Sequence, residues 1–180
     1  MDLEVLGSIP RGGTTPVGSE IFVASNAKAI VLIPIGHVRG GRAAAIDDDW
    51  GASRARIELD PDRFTAEALA GLGDFSHIEV VFVFHGVDEA KVETAARRPR
   101  GRPDWPLVGI FAQRGRARPN RLGVSVCRVV AVSGLCVEAE GLDAIDGTPV
   151  VDIKPVLRGF LPRGTLREPG WAREIMRDYW

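Results

Sequence analysis

The run from Ile78 to Phe84 limits the possible folds more than any other stretch of the chain. In an extended conformation Ile78, Val80, Phe82 and Phe84 share one face, and Glu79, Val81 and Val83 share the other. Alternation with period two marks a strand, and apolar side chains on both faces place it in the middle of a sheet. Six more segments have strand character: Ala29 to Val38, Arg54 to Leu59, Val108 to Gln113, Val124 to Val132, Leu135 to Glu140 and Pro149 to Pro155. They are rich in β-branched residues and are separated by Gly and Pro clusters. Only Thr65 to Leu72 and Pro169 to Trp180 carry helix signals, the first stopping at Gly71 to Gly73 and the second opening on a proline. The expected fold is mainly β, an antiparallel sheet or barrel with short peripheral helices.

A chain of 180 residues that is 45% hydrophobic and 26% charged has the make-up of an ordinary globular protein with one core. The sequence divides into an N-terminal extension (1–27), a β domain (28–160) and a C-terminal helical tail (161–180). Within the extension the apolar piece Ile21 to Ala24 is expected to add an edge strand. The longest nearly uncharged run, Ala29 to Val38, is about half of the ~20 residues that a membrane helix needs, so no spanning segment is expected. Met1 to Glu20 lacks a basic stretch leading into an apolar one, which points to the cytoplasm.

Cys127 and Cys136 lie on two apolar runs joined by Ser133-Gly134, a dipeptide suited to a two-residue hairpin turn. That register would pair Cys136 with Ala131 and Cys127 with Glu140, setting the sulfurs roughly 13 Å apart, beyond the ~7 Å Cα limit for a disulfide. Two free thiols are expected, in keeping with a reducing compartment.

Charge is uneven although the whole chain is nearly neutral, with a formal net charge of -1. Eight arginines (97, 98, 100, 102, 114, 116, 118 and 121) face one acid, Asp104, between Arg97 and Arg121. The planar guanidinium fork suits carboxylates and phosphates, so this stretch points to an anionic partner or to a solvated basic loop. Several familiar chemistries are excluded. Gly71-Leu-Gly73-Asp-Phe-Ser76 lacks the third glycine of a dinucleotide fingerprint and lies between a helix and a strand in the wrong order. Gly123-Val-Ser125-Val-Cys127 fails the nucleophile elbow at its last position. His77 and His85 are eight residues apart on one extended segment, about 26 Å, and cannot share a metal; no metal site is expected.

Three segments remain. Phe75-Ser76-His77 leads into Val81-Phe82-Val83-Phe84-His85, a strand that ends in a polar ring. Gly109-Ile-Phe-Ala-Gln-Arg114-Gly-Arg116-Ala-Arg118-Pro119-Asn120-Arg-Leu122-Gly123 runs from a strand into alternating arginines. Gly141-Leu-Asp143-Ala-Ile-Asp146-Gly147-Thr148-Pro149 continues into Asp152-Ile-Lys154-Pro155. With Ile35-Gly36-His-Val38 and Leu72-Gly-Asp-Phe75-Ser76-His77 these segments span about residues 33 to 157. Together they resemble the TsaA-like, or TrmO, family of S-adenosylmethionine-dependent tRNA methyltransferases. The Gly-Ile-Phe-Ala-Gln-Arg to Arg-Pro-Asn stretch is the most specific part of the match. The chain departs from the family pattern at Arg121-Leu122-Gly123, where Pro-Ile-Gly is usual, at Asp47 to Gly51, where many members have Pro-Arg-Gln-Pro-Gly, and in its short Trp-rich C-terminal tail.

The resemblance implies a TsaA-like antiparallel β-barrel over residues 28–160, S-adenosyl-L-methionine as cofactor, a homodimer with sites near the subunit interface, and methylation of threonylcarbamoyladenosine beside the tRNA anticodon. It implies a cofactor site from Phe84, His85, Gly86, Leu122, Asp143 and the turn Asp146, Gly147, Thr148 and Pro149. Asp48, Asp49 and Trp50 occupy the matching first-strand loop, with Trp50 able to stack on a base or the adenine. Arg114 is assigned to the cofactor carboxylate or to shaping its pocket, because arginines beside the sulfonium would oppose binding. Arg97, Arg98, Arg100, Arg116, Arg118, Asn120 and Arg121 are assigned to RNA phosphate or pocket support. A carbamoyl nitrogen is a poor nucleophile at neutral pH and needs a proton acceptor, for which Asp146, Asp152 and His85 are the candidates. The competing readings are a barrel that holds S-adenosylmethionine or another adenosine compound without methylating RNA, and a methyltransferase that acts on a different substrate.

Overall fold

A computed structural model describes residues 21–23 and 30–180. The strands are β1 (Ile21–Val23), β2 (Ile30–Leu32), β3 (Gly36–Arg39), β4 (Arg54–Leu59), β5 (His77–Val83), β6 (Ala96–Arg97), β7 (Val108–Gly109), β8 (Leu122–Ser133), β9 (Cys136–Glu140) and β10 (Pro149–Pro155). Six of them close a barrel in the order β10-β3-β4-β9-β8-β5, with every neighbouring pair antiparallel. Closure removes exposed sheet edges. β5 lies between β8 and β10, as its two apolar faces require.

Alternation builds the interior. β4 turns Ala55, Ile57 and Leu59 inward, and they meet Ile78, Val80 and Phe82 of β5, Val137 and Ala139 of β9, and Val150 of β10. The outward residues of β4 and β9 form a ladder of opposite charges. Glu140 takes Arg128 at 2.8 Å and Arg54 at 3.0 Å, and these bonds, Arg128 first, hold its carboxyl below the usual range. Such exposed pairs contribute little stability each and mainly keep this face soluble.

The expected strand Ala29 to Val38 is two strands. Pro34 interrupts it, because proline offers no N–H to a ladder. β2 therefore pairs with β1 in a separate two-stranded sheet, so the expected edge strand at Ile21 forms outside the barrel. The rest of residues 1–27 lies outside the described residues. Val108 to Gln113 is strand only at Val108–Gly109 and then closes into a 3-10 turn, Ile110–Ala112. Thr65 to Leu72 is not one helix: 3-10 turns at Ala66–Leu69 and Leu72–Asp74 are split at Gly71, whose φ of 78° is open to glycine at no steric cost. The tail helix, α1, covers Gly170–Ile175 alone.

The cysteine hairpin also differs in register. Ser133 pairs with Cys136, so the turn is Gly134-Leu135, and an irregularity between Val129 and Ala131 shifts the ladder further along. Gly134 takes the left-handed conformation that the turn needs. The conclusion about the thiols survives: both are free, and burial pushes the Cys127 thiol up to about 12.

Candidate functional site

In an antiparallel barrel, long connections gather at the ends. The C-terminal ends of β3, β5 and β9 and the N-terminal ends of β4, β8 and β10 share one end, which carries the connections 40–53, 84–121 and 141–148. Those three connections, with Leu122 and Pro149 at their junctions with the barrel, contain all the residues assigned above to cofactor or anion binding. They also contain every non-glycine residue with positive φ among the described residues: Asp49 (62°), Arg100 (49°), Asn120 (64°) and Arg121 (51°). Left-handed backbone at such residues costs free energy and persists where the surroundings demand it, most often at functional sites.

Asp152 is not at this end. It lies three residues beyond Pro149, about 10 Å along the strand, opposite Val81, and pairs with Lys154. There it borders a mostly apolar groove of about 460 Å³ beside Ile35, Leu59, Phe64 and Leu72. The direction of β10 therefore separates Asp152 from His85 and Asp146, and it leaves the set of proton acceptors.

The 141–148 connection is fastened to the end of β3. Asp146 accepts the Gly40 amide at 2.8 Å through Oδ1, the Gly147 amide donates to Val38 at 2.9 Å, and the Val38 amide donates to the carbonyl of buried Thr148. Asp146 is exposed, as are His85 and Gly86 just past β5. His85 lies close enough to His37 to disfavour its protonation, after the larger effects of burial and Arg39.

Trp50 is 3% exposed, donates its indole N–H to Ile46 at 3.0 Å and carries the Arg42 guanidinium 4.5 Å above its ring. Its expected stacking surface is thus covered in this conformation. Asp143 is likewise engaged. It accepts the Tyr179 hydroxyl at 2.5 Å and the hydroxyl of buried Ser125. Burial pushes its carboxyl above the ordinary Asp range, opposed by the Tyr179 bond and by Arg114. Arg114 is exposed and donates to the Val124 carbonyl at 2.5 Å.

The arginine-rich stretch largely fastens itself together. Half-buried Arg100 forks onto Asp48 at 2.6 and 3.0 Å, Arg118 donates to Gln113 at 3.0 Å, and Arg121 bonds the Val87 carbonyl at 3.0 Å and Glu89 at 2.9 Å. Each of these three thus gives at least one guanidinium donor to a group within the loops. Arg98 and Arg116 are exposed, although each gives one donor to a carbonyl, of Trp105 and Ala45. Arg97 is half-buried on β6, and Asn120 is exposed in its left-handed turn.

Sequence reasoning missed Ser125, Gln113, Trp105 and Tyr179. Ser125 had a signal, as a polar residue at an inward position of β8. Gln113 is buried and donates to the carbonyls of Arg97 and Val108, joining the two ends of the β6–β7 excursion. Trp105 and Tyr179 announced themselves only as rare aromatics. Among the described residues no group of three or more His, Cys, Asp or Glu could hold a metal, and no helix is long and apolar enough to cross a membrane.

A closed antiparallel barrel whose three long connections and strained residues meet at one end defines a class of ligand-binding barrel without a Rossmann framework. The chain belongs to the family of the tRNA-methyltransferase O N-terminal domain, whose model matches residues 48–160. A tRNA (adenine(37)-N6)-methyltransferase of Eikenella corrodens is 45% identical over 101 residues, covering 54% of this chain and 56% of that protein. The protein of the same name from Rattus norvegicus is 34% identical over 134 residues, covering 71% of this chain and 31% of that one. The crystal structure of TrmO from Pseudomonas aeruginosa superimposes with a TM-score of 0.60 at 30% identity, over 76% of this chain and 60% of that one. The chain spans between a quarter and about half the length of the first curated relatives it matches.

Proposed function

We propose that this protein is an S-adenosylmethionine-dependent methyltransferase acting on N6 of threonylcarbamoyladenosine next to the tRNA anticodon. The observation that carries the reading is the meeting, at one barrel end, of the family's Arg114 to Asn120 and Asp146 to Pro149 segments with all four strained residues. The donor set fits the cofactor. Arg114 lies near enough to pull the Asp143 carboxyl downward against the effect of burial, and a guanidinium near a carboxylate matches the opposite charges of an amino-acid head. When bound, S-adenosylmethionine supplies a sulfonium-activated methyl group. Arg114 would hold the carboxylate of the head and Asp143 its ammonium, while Phe84, Leu122 and Pro149 would wall the site. The second carboxylate oxygen of Asp146 and the His85 ring are the proton acceptors at this end. Exposed Arg98 and Arg116 meet RNA phosphate.

The same reading takes the protein as a cytoplasmic homodimer, with 1–27 an extension, 28–160 the barrel and 161–180 the tail. Val124 and Val126 on the outer face of β8, and Leu107 and Phe111 in the 84–121 connection, leave apolar side chains exposed, and the Val124 carbonyl accepts Arg114, which suits a subunit contact. Mass analysis of nucleosides from tRNA incubated with protein and S-adenosylmethionine tests the activity, and the expected product is the methylated threonylcarbamoyladenosine. Cofactor binding without any methylated nucleoside would return the protein to the non-catalytic binders. Light scattering at micromolar protein tests the dimer.

A further inference from the structure

The tail reaches back across the barrel to the end that holds the candidate site. The Asp49 and Trp50 amides donate to the Asp178 and Tyr179 carbonyls at 2.9 and 2.8 Å, so the tail runs beside the 40–53 connection. Glu174 accepts the indole N–H of buried Trp105 at 2.9 Å, Arg100 reaches the Ile175 carbonyl at 3.4 Å, and the Tyr179 hydroxyl is on Asp143. The core cluster contains no residue from 171–180. Polar bonds thus fasten the tail, and three of its partners, Asp49, Trp50 and Asp143, are residues assigned to the cofactor site.

We propose that Trp171–Trp180 is a displaceable plug that competes with the cofactor for this end of the barrel. The proposal rests on the cofactor reading above. The Tyr179 phenol sits on one Asp143 oxygen and the Ser125 hydroxyl on the other, so the phenol stands where an ammonium would approach the carboxylate, and loop amides bonded to tail carbonyls are closed to a ligand. Occupancy by one excludes the other, and the free energy of the tail bonds is subtracted from ligand affinity. Ligand binding in turn releases the tail and frees the Trp105 indole N–H from Glu174.

Two substitutions unseat the tail by different routes. Tyr179→Phe removes the bond to Asp143. Gly51→Ala places a methyl 2.5 Å from the Trp180 carbonyl carbon, and the three nearest atoms it meets all belong to Trp180, so the tail must move away. Titration calorimetry with S-adenosylmethionine should show roughly fivefold tighter binding to each variant than to the unaltered chain, about the worth of one hydrogen bond. Added S-adenosylmethionine should also speed tryptic cleavage at Arg173 and Arg177 in the unaltered chain. Equal or weaker binding by both variants, or cleavage slowed by ligand, would make the tail a wall of the site and overturn the plug. Absence of binding in all three proteins would overturn the cofactor reading itself, and the plug with it.

Discussion

Gly123 offers the sharpest test of how the barrel and its ligand end are coupled. It opens β8 opposite Phe82, and a Cβ built there would lie 2.5 Å from Cζ of Phe82 and 2.9 Å from Cζ of Phe84. Ordinary carbon contacts are about 3.5–4.0 Å. The Phe82 ring would have to retreat by about 1 Å, yet it is 1% exposed and packed edge-on against Phe84 at 5.2 Å. Overpacking of that kind costs about 1–3 kcal/mol. For a chain of this length each kcal/mol lowers the melting temperature by about 2–4 °C, so Gly123→Ala should melt roughly 2–12 °C below the parent in a calorimetric scan. Combining it with Phe82→Leu should recover part of the loss relative to Phe82→Leu alone, because the smaller side chain vacates the space the methyl needs. A Gly123→Ala protein with an unchanged melting temperature, or a double variant whose losses simply add, would show that the pair does not fill this corner. Phe84 is expected to line the cofactor site, so the same substitution should weaken cofactor binding as well.

Two other outcomes follow from the charges. Burial raises the Asp143 carboxyl above its ordinary value of 3.8, so above that pH the unfolded chain binds fewer protons than the folded one and stability falls as pH rises. In melts across a pH series the parent should lose stability relative to Asp143→Asn on going up from about pH 4, and a parent that gains on the variant would refute the sign. Alanine at Arg100, Arg118 or Arg121 should destabilise the fold while leaving the salt dependence of tRNA binding unchanged. Alanine at exposed Arg98 or Arg116 should flatten that slope by up to about one unit each, read from binding titrations at several salt concentrations.

Local chemistry carries a strand pattern and a specific motif directly, so the barrel could be read from Ile78 to Phe84 and its companions, and the family from the Gly109 to Asn120 and Asp146 to Pro155 segments. The free thiols were legible too, even though the partner of Cys136 is Ser133 and not the expected Ala131, because no plausible register brings Cys127 beside Cys136. What the sequence could not decide is which partner each polar group finds. Eight arginines in one stretch look alike along the chain, but the connections fold Arg100, Arg118 and Arg121 onto nearby carbonyls and acids and leave Arg98 and Arg116 outward. Asp146 and Asp152 stand six residues apart in one motif, yet a strand covers about 3.3 Å per residue and carries Asp152 away from the end that Asp146 occupies. Tyr179 meets Asp143 across 36 positions of sequence. Contacts of that range depend on the closure of the barrel and the return of the tail, and no local periodicity encodes them.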